Sequence, residues 1–277
     1  MTTSTRRLAV AAAAAALALG LGATACGSDG DEATAAPGAA AGSSTAAASA
    51  PEVSGAVTVF AAASLTGTFT ELGKKFEAAH PGVEVTFNFG GSSALAQSIN
   101  SGAPADVFAA ASPATMKTVG DAGGVDGAAQ NFVSNTLTIA VPKGNPKHLT
   151  SLRDLTAPGV KVALCAKEVP CGAAAVTALK AAAVDLTPVT LEQDVKGALT
   201  KVELGEVDAS LVYRTDVRAD AAKIDGVDFP EAAKAVNQYP IAPLAQAPNK
   251  DGAAAFVAYV RSAEAQQVLT AAGFQAP

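Results

Sequence analysis

Apolar residues follow two different periods along the chain from about residue 54 onward. Residues 57–61 form a short apolar run typical of a buried strand, and Leu65, Phe69, Leu72 and Phe76 then recur at helical spacing. By the same criteria we predict strands at 83–89, 105–110, 135–141, 160–164 and 209–213, and helices at 94–99, 172–183, 195–204, 253–260 and 263–272. A further helix is predicted with Ser112 as its N-cap and Pro113 as its first residue. Strands that alternate with helices predict α/β layers with mainly parallel sheets, whose ligands lie at the carboxyl ends of the strands.

Two of these strands stop at a small hydroxyl residue just before a helix. The strand at 57–61 is followed by Ser64, and the strand at 83–89 is followed by Gly-Gly-Ser92. The first turn of a helix has unpaired N–H groups and a partial positive charge. Together with a serine hydroxyl, such a turn binds an anion without any cation. We therefore expect Ser64 and Ser92 to hold a small oxyanion.

The N-terminal segment indicates export. Two arginines precede an apolar run at residues 8–21, which ends in Ala-Thr-Ala-Cys26. A basic start, a short apolar run and small residues before a cleavage point predict a signal peptide over residues 1–25. Glycines interrupt the run before it reaches membrane-spanning length. The small-small-Cys ending resembles the lipobox of bacterial lipoproteins, which predicts lipidation of Cys26; plain secretion with Cys26 as a free thiol is the alternative.

The segment that follows, residues 26–53, is predicted to be a spacer. Residues 26–53 are rich in Ala, Gly and Ser and contain hardly any large apolar side chain that would offset the entropy lost on ordering. Segments of this composition behave as flexible linkers. We expect a lipidated tether that holds the globular part, from residue 54 on, at the outer face of the cytoplasmic membrane, with the lipid as its only membrane contact.

The remaining cysteines, Cys165 and Cys171, form a closely spaced pair once Cys26 is set aside. In an oxidising compartment an even number of cysteines predicts a disulfide. Two buried free thiols are the alternative. A metal site is disfavoured, because neither His80 nor His148 lies at ligand spacing from the pair.

Charge and composition restrict the class of ligand. The formal net charge is −6, and no Trp and no basic stripe are present, which argues against nucleic-acid binding. Against this overall negative field, an anion has to be held by local dipoles.

Six motifs follow one another in a single order. They are Val-Phe-Ala-Ala-Ala-Ser64-Leu, Gly-Ser92-Ser-Ala-Leu-Ala, Gly102-Ala-Pro-Ala-Asp106-Val-Phe, Val169-Pro-Cys-Gly172, Glu192-Gln-Asp-Val195-Lys-Gly-Ala-Leu199 and Leu211-Val-Tyr213. Together they closely resemble the periplasmic molybdate-binding proteins of ABC transporters, over about residues 56–275.

The resemblance implies the two-lobed type II periplasmic-binding-protein fold, with residues 54–137 and 240–277 in one lobe and 138–239 in the other. It also implies a monomer without a cofactor, which binds molybdate and also tungstate and serves an ABC permease and its ATPase. Molybdenum would be present only within the bound molybdate. The implied oxyanion ligands are Ser64, Ser92, Cys171, Val195 and Tyr213. Relatives commonly carry Ala where this chain has Cys171.

Two other functions remain as alternatives. One is the same fold binding sulfate or another tetrahedral oxyanion. The other is a secreted serine hydrolase that uses Ser64 or Ser92, but neither serine lies in a Gly-x-Ser-x-Gly elbow, and only His80 and His148 are available as a base. We therefore expect a binding protein and not an enzyme, and we expect Asp106 and Asp194 to bond backbone N–H groups instead of a ligand.

Overall fold

The computed structural model describes residues 53–277, so the predicted signal peptide, Cys26 and nearly all of the tether lie outside the described residues. Two five-stranded sheets account for the strands of this range. The strands are β1 Gly55–Ala62, β2 Val83–Gly90, β3 Val107–Ala109, β4 Gln130–Asn135, β5 Leu137–Pro142, β6 Val162–Cys165, β7 Thr190–Glu192, β8 Ala209–Tyr213, β9 Ile224–Val227 and β10 Asn237–Pro243.

Helices flank both sheets. They are α1 Thr66–Ala79, α2 Ser92–Asn100, α3 Pro113–Asp121, α4 Pro170–Ala181, α5 Val195–Glu203, α6 Arg214–Ala219, α7 Lys250–Val260 and α8 Ala263–Ala272, with short 3-10 helices at Ala63–Leu65, Leu152–Thr156 and Pro230–Lys234. The predicted start of α3 is confirmed, because the Ser112 side chain accepts a hydrogen bond from the Thr115 N–H with Pro113 at the first helical position. Helix α8 ends where predicted, at Gly273, whose φ of 104° is the left-handed conformation that glycine adopts readily.

The two sheets have the same internal arrangement. Their strand orders are β2-β1-β3-β10-β4 and β7-β6-β8-β5-β9. In the first sheet β10 runs antiparallel to both of its neighbours, and in the second β5 does so, while the pairs β1/β2, β1/β3, β6/β7 and β6/β8 are parallel. Four strands of each sheet thus point the same way. The predicted α/β fold with two lobes and mainly parallel sheets is confirmed, and we call the lobe built on β2-β1-β3-β10-β4 the first lobe and the other the second.

Aromatic side chains fill the core of the first lobe. Phe69, Phe76 and Phe256 are fully buried, as their spacing predicted, and the rings of Phe76 and Phe256 meet edge to face at 5.3 Å. The other face of the sheet carries a separate apolar cluster that includes Leu95 and Phe108. Both faces of the sheet are therefore covered, which fixes the ends of its strands relative to α1 and α2.

The crossing between the lobes differs from the prediction. The strand predicted at 135–141 corresponds to β5 but begins two residues later, at Leu137 in the second sheet, and β4, which ends at Asn135 in the first sheet, was not predicted. The Asn135 side chain accepts a hydrogen bond from the Thr136 N–H at 3.0 Å and donates one to Thr215 Oγ1 at 2.8 Å. The Asn135 side chain supplies hydrogen bonds at Thr136, where the strand pairing is interrupted. The chain therefore passes from one sheet to the other without a Gly or Pro.

Within residues 53–277, no helix is both long enough and apolar enough to span a membrane.

Candidate functional site

A small cavity lies where the carboxyl ends of strands from both sheets meet. Its volume is about 20 Å³, somewhat more than a single water molecule needs, so it has room for one small ligand. That is the size of a single tetrahedral oxyanion and too small for an amino acid or a sugar. The lining residues share a position at or next to a strand end or a helix start; they are Ala62, Ala63, Ser64, Gly90, Gly91, Ser92, Ala111, Val169, Pro170, Cys171, Asp194, Val195 and Tyr213. All five residues predicted as ligands are brought together here.

Three helical N-termini at this cavity have no side-chain cap. The 3-10 helix Ala63–Leu65, α2 and α4 each begin without a side-chain hydrogen bond to their first turn. In contrast, α3, α7 and α8 are capped by serine or asparagine side chains. Uncapped first turns leave N–H donors and the positive end of the helix dipole facing the cavity. An anion supplies the acceptors that these turns lack.

The two serines of the first lobe are buried and already hydrogen-bonded. Ser64 Oγ lies 2.9 Å from Tyr239 Oη, and Ser92 Oγ accepts a hydrogen bond from the Ala111 N–H at 3.0 Å. An N–H group only donates, so the hydroxyl proton of Ser92 is left for another acceptor. The Ser92 hydroxyl proton is therefore available to an acceptor in the cavity, which Ser92 lines.

Tyr213 differs from the serines. It is 1% exposed, and its hydroxyl finds no hydrogen-bond partner among residues 53–277. Burial, to which the neighbouring Tyr239 and Asp216 add, raises the pKa of Tyr213 well above its usual value. The hydroxyl stays protonated, and a buried donor without a partner is unfavourable until an acceptor reaches it.

Cys171 lies in the first turn of α4 and is disulfide-bonded to Cys165 at the end of β6, with their Cα atoms 5.8 Å apart. The predicted disulfide is thus present. Gly172 follows, and a Cβ at this residue would lie 1.9 Å from the Ala166 carbonyl oxygen, so only glycine fits. The disulfide and the glycine together hold the loop 166–169 tightly against the start of α4.

Val195 begins α5 at the other side of the second lobe. The preceding Asp194 caps the helix, since its carboxylate accepts a hydrogen bond from the Gly197 N–H at 2.9 Å, as we expected. The next residue, Lys196, forms an ion pair with the buried Asp216 at 3.3 Å. Asp216 also accepts a hydrogen bond from the Tyr213 N–H at 3.2 Å. This ion pair therefore connects the two segments that carry Val195 and Tyr213.

The positive electrostatic potential at the cavity comes from helix dipoles. Among the lining residues of the described chain, none is Lys, Arg or His, and Asp194 is the only charged one. Asp106 lies elsewhere and accepts hydrogen bonds from the Thr58 N–H at 2.7 Å and the Asn249 N–H at 2.6 Å, the structural role expected for it. The arrangement offers hydrogen-bond donors, and it places no histidine beside either serine for base catalysis.

The lobes touch each other around the cavity. A Cβ at Gly91 of the first lobe would lie 2.3 Å from the carbonyl oxygen of Gln193 in the second. Beside it, the Ser93 hydroxyl donates a hydrogen bond to the Glu168 carbonyl at 2.6 Å. The two lobes therefore approach to backbone contact at one edge of the cavity.

Sequence analysis missed Tyr239 and Asn237 of β10, which lie behind the serines. Tyr239 contacts Ser64, and the Asn237 side chain donates a hydrogen bond to the Ala111 carbonyl at 2.7 Å. A buried tyrosine needs a hydrogen-bond partner, but nothing local to Tyr239 indicates a serine 175 positions away.

Comparison with known proteins identifies the family. The sequence pattern of the bacterial extracellular solute-binding proteins matches residues 57–275. This chain belongs to that family. It is 45% identical over 222 residues to the molybdate-binding protein ModA of Mycobacterium tuberculosis, which covers 80% of this chain and 85% of the relative. It is 33% identical over 234 residues to ModA of Escherichia coli, covering 79% and 89%.

The solved structures agree on the fold. The periplasmic molybdate-binding protein of Azotobacter vinelandii superimposes with a TM-score of 0.70 at 20% identity, over 80% of this chain and 99% of that one. Membership of an extracellular solute-binding family confirms two predictions, that the chain is a binding protein and not an enzyme, and that it acts outside the cytoplasm.

Proposed function

We propose that this chain is an extracytoplasmic binding protein that captures molybdate, and also tungstate, between its lobes and delivers it to an ABC importer. The observation that carries the proposal is the cavity, which has room for one small oxyanion and is lined by uncapped helix starts and hydroxyl groups. The relatives named molybdate-binding proteins support molybdate as the anion.

Each predicted ligand has a role in this proposal. Ser64, Ser92 and Tyr213 donate through their hydroxyls, while Cys171 and Val195 donate through their backbone N–H groups. Molybdate carries no proton at neutral pH and accepts only, so a set of donors matches it. Each charge-assisted hydrogen bond contributes roughly 1.5–3 kcal/mol. With its backbone in this role, the Cys171 side chain remains in the disulfide.

Phosphate is disfavoured by the same set of donors. It carries a proton near pH 7 and needs an acceptor, which a free carboxylate would provide. The one carboxylate of the cavity lining, Asp194, accepts through Oδ1 from the Gly197 N–H of its own helix, and we propose that it serves this cap and does not accept from the ligand. The proposal therefore predicts selectivity for oxyanions without a proton.

Calorimetric titration of the purified protein with molybdate, tungstate, sulfate and phosphate tests the proposal. We expect tight, one-to-one binding of molybdate and tungstate, weaker binding of the smaller sulfate, and none of phosphate. Preference for sulfate over molybdate would assign the same fold to sulfate uptake, and binding of none of these anions would refute the proposal.

We also propose lobe boundaries at Thr136 and just before Asn237, where the sequence predicted them near residues 137 and 240. Two observations support them: β5 of the second sheet begins at Leu137, and β10 of the first sheet begins at Asn237. The protein is proposed to act as a monomer that an ABC permease, driven by its ATPase, recognises once both lobes have closed on the anion. Sedimentation at micromolar concentration with molybdate tests the monomer.

The anchor is proposed to be a lipid on Cys26. The Ala-Thr-Ala-Cys26 sequence after a short apolar run supports it. Stable retention requires more than one acyl chain, which a multiply acylated cysteine supplies. We expect Cys26→Ser to move the protein from the membrane fraction to the soluble fraction; a variant that still sediments with membranes would refute the lipid anchor.

A further inference from the structure

An asparagine lies at each of the two places where the chain crosses between the lobes. Asn135 is the last residue of β4 and Asn237 is the first residue of β10, and the two are directly opposite each other in the antiparallel pairing of these strands. Their side chains therefore lie on the same face of the first sheet. Asn135 is 1% exposed and Asn237 is 7% exposed. A buried amide is unfavourable unless its polar atoms are paired, so the partners of this asparagine pair indicate what it does.

The two side chains bond to different lobes. Asn237 Nδ2 donates to the Ala111 carbonyl at 2.7 Å, within the first lobe, and the N–H of Ala111 donates to Ser92. Asn135 Nδ2 donates to Thr215 Oγ1 at 2.8 Å, in the second lobe. The asparagine pair thus connects the crossing to a segment of each half of the site.

The orientation of the Asn135 amide is determined by its second bond. Asn135 Oδ1 accepts from the Thr136 N–H at 3.0 Å. Because an N–H group only donates, the oxygen of the amide must lie on this side, and the NH₂ group then faces Thr215. Thr215 Oγ1 is therefore the acceptor in the bond between the lobes.

Thr215 lies close to a proposed ligand of the anion. It follows Tyr213 by two residues and is in the first turn of α6. Tyr213 pairs with Leu137, the first residue of β5, but both belong to the second sheet, so this pairing does not depend on the first lobe. The bond from Asn135, in contrast, joins the segment 213–215 to the first lobe.

We propose that Asn135 is a positioning residue for the anion: its hydrogen bond to Thr215 holds the start of α6, and with it Tyr213, in place when the lobes are together. This inference rests on the proposed oxyanion site. Neither Asn135 nor Thr215 is among the residues that line the anion cavity, so Asn135 acts on the ligand through Tyr213. Because the bond stabilises the arrangement in which both lobes face the anion, it slows the release of the anion.

Thr215→Val tests the bond most directly, because it removes the acceptor, nearly preserves the shape of the side chain, and leaves Asn135 with its other neighbours, which include the Tyr239 hydroxyl. We expect molybdate affinity, measured by calorimetry, to fall by about fivefold. Exchange of bound radioactive molybdate for unlabelled molybdate should show that faster dissociation accounts for most of this loss.

Two further variants serve as controls for Thr215→Val. Thr215→Ser retains the hydroxyl acceptor, and its affinity and dissociation rate should stay close to those of wild type. Thr70→Val removes a threonine hydroxyl that donates to the Thr66 carbonyl on the exposed side of α1, so it should bind molybdate as wild type does.

Asn135→Ala and the double variant complete a thermodynamic cycle. In the Asn135→Ala background, Thr215→Val should leave molybdate affinity unchanged, because its hydrogen-bond donor is already absent. Urea unfolding of the same variants separates affinity from stability, since a purely structural bond would lower the free energy of unfolding without changing the affinity of the folded protein. Should Asn135→Ala not fold, the comparison of Thr215→Val with Thr215→Ser decides the question.

The outcomes separate this inference from the proposed function. Wild-type affinity and dissociation rate in Thr215→Val, with binding weakened by Ser92→Ala, would overturn the role of Asn135 and leave the site intact. An equal loss in Thr215→Ser and Thr215→Val, or a loss that persists without Asn135, would also overturn it. Unchanged molybdate binding in both Ser92→Ala and Tyr213→Phe would refute the oxyanion site itself.

Discussion

In the first lobe both hydroxyl groups at the cavity are held by hydrogen bonds within the protein, whereas in the second lobe the Tyr213 hydroxyl has no partner among the described residues. The two lobes share one strand arrangement. Their chemistry differs because of which residues follow the strands. The hydroxyls of the first lobe are held within the protein, whereas the second lobe has a buried donor with no partner among the described residues. Under the proposed function an anion supplies the missing acceptor, so we expect the anion to stabilise contact between the lobes.

The contact at Gly91 allows the strongest test of this difference. Gly91→Ala places a Cβ against the Gln193 carbonyl, where both sides are backbone and neither can rotate away. Overpacking costs about 1–3 kcal/mol or more, so we expect molybdate affinity to fall by up to about a hundredfold. Small-angle scattering should show that wild type becomes more compact with molybdate and that the variant does not.

Gly120→Ala is the matched control, because a Cβ there meets nothing within 4 Å. Equal affinity of Gly91→Ala and wild type would mean that the lobes do not need this approach to bind the anion.

Variants that each lack one hydroxyl test the difference between the two lobes more finely. Tyr213→Phe, Ser64→Ala and Ser92→Ala should each weaken molybdate binding by roughly 1–3 kcal/mol. Their effects on the ligand-free protein should differ. Tyr213→Phe removes an unsatisfied group and should leave the free energy of unfolding equal or higher, whereas Ser92→Ala leaves the Ala111 N–H unpaired and should lower it by about 1 kcal/mol or more.

Urea unfolding of the three variants without ligand measures this contrast. A loss of stability in Tyr213→Phe as large as that in Ser92→Ala would contradict the view that the second lobe is incomplete without its anion.

The disulfide is a feature of the second lobe. Replacing Cys165 and Cys171 together by Ala should lower the free energy of unfolding by about 2 kcal/mol, the loop-closure entropy of so short a loop. Molybdate affinity should change only a few-fold, because Cys171 donates through its backbone. A loss of affinity as large as that of Tyr213→Phe would show that the disulfide itself shapes the binding turn.

Asp216 gives the second lobe a pH dependence. Burial raises the pKa of its carboxyl from 3.8 to about 6, against the opposing effect of Lys196. The folded chain therefore binds this proton more tightly than the unfolded chain. The resulting stability is fully present below about pH 4 and is lost as the pH rises through about 6.

Thermal unfolding of ligand-free wild type and Asp216→Asn between pH 4 and 7 measures this contribution. The stability of wild type relative to the variant should decrease as the pH rises. Asp220→Asn, which removes the more exposed partner of Lys196, is the control. A difference between wild type and Asp216→Asn that does not vary with pH would refute the assignment.

Local patterns predicted much of the fold. Strand β8 and helix α8 have the predicted bounds, and β1 and α1 differ by a few residues. The strand predicted at 135–141 starts two residues before β5, because the pattern continues across Thr136 while the chain changes sheets. Nothing in a local pattern marks that change, which brings the Asn135 side chain within hydrogen-bonding distance of Thr215 in the other lobe.

The sequence by itself determined the alternation of strands and helices, the serines that follow two strand ends, and a close pair of cysteines, since each depends on neighbours along the chain. Only the tertiary structure decided that Tyr239 pairs with Ser64 across 175 positions, that the Tyr213 hydroxyl has no partner within residues 53–277, and that Gly91 meets Gln193. The order of strands in the two sheets sets these contacts, and that order depends on packing between segments far apart in sequence. The residue types at the site are therefore visible in the sequence, while the direction in which each hydroxyl donates depends on partners that only folding brings within hydrogen-bonding distance.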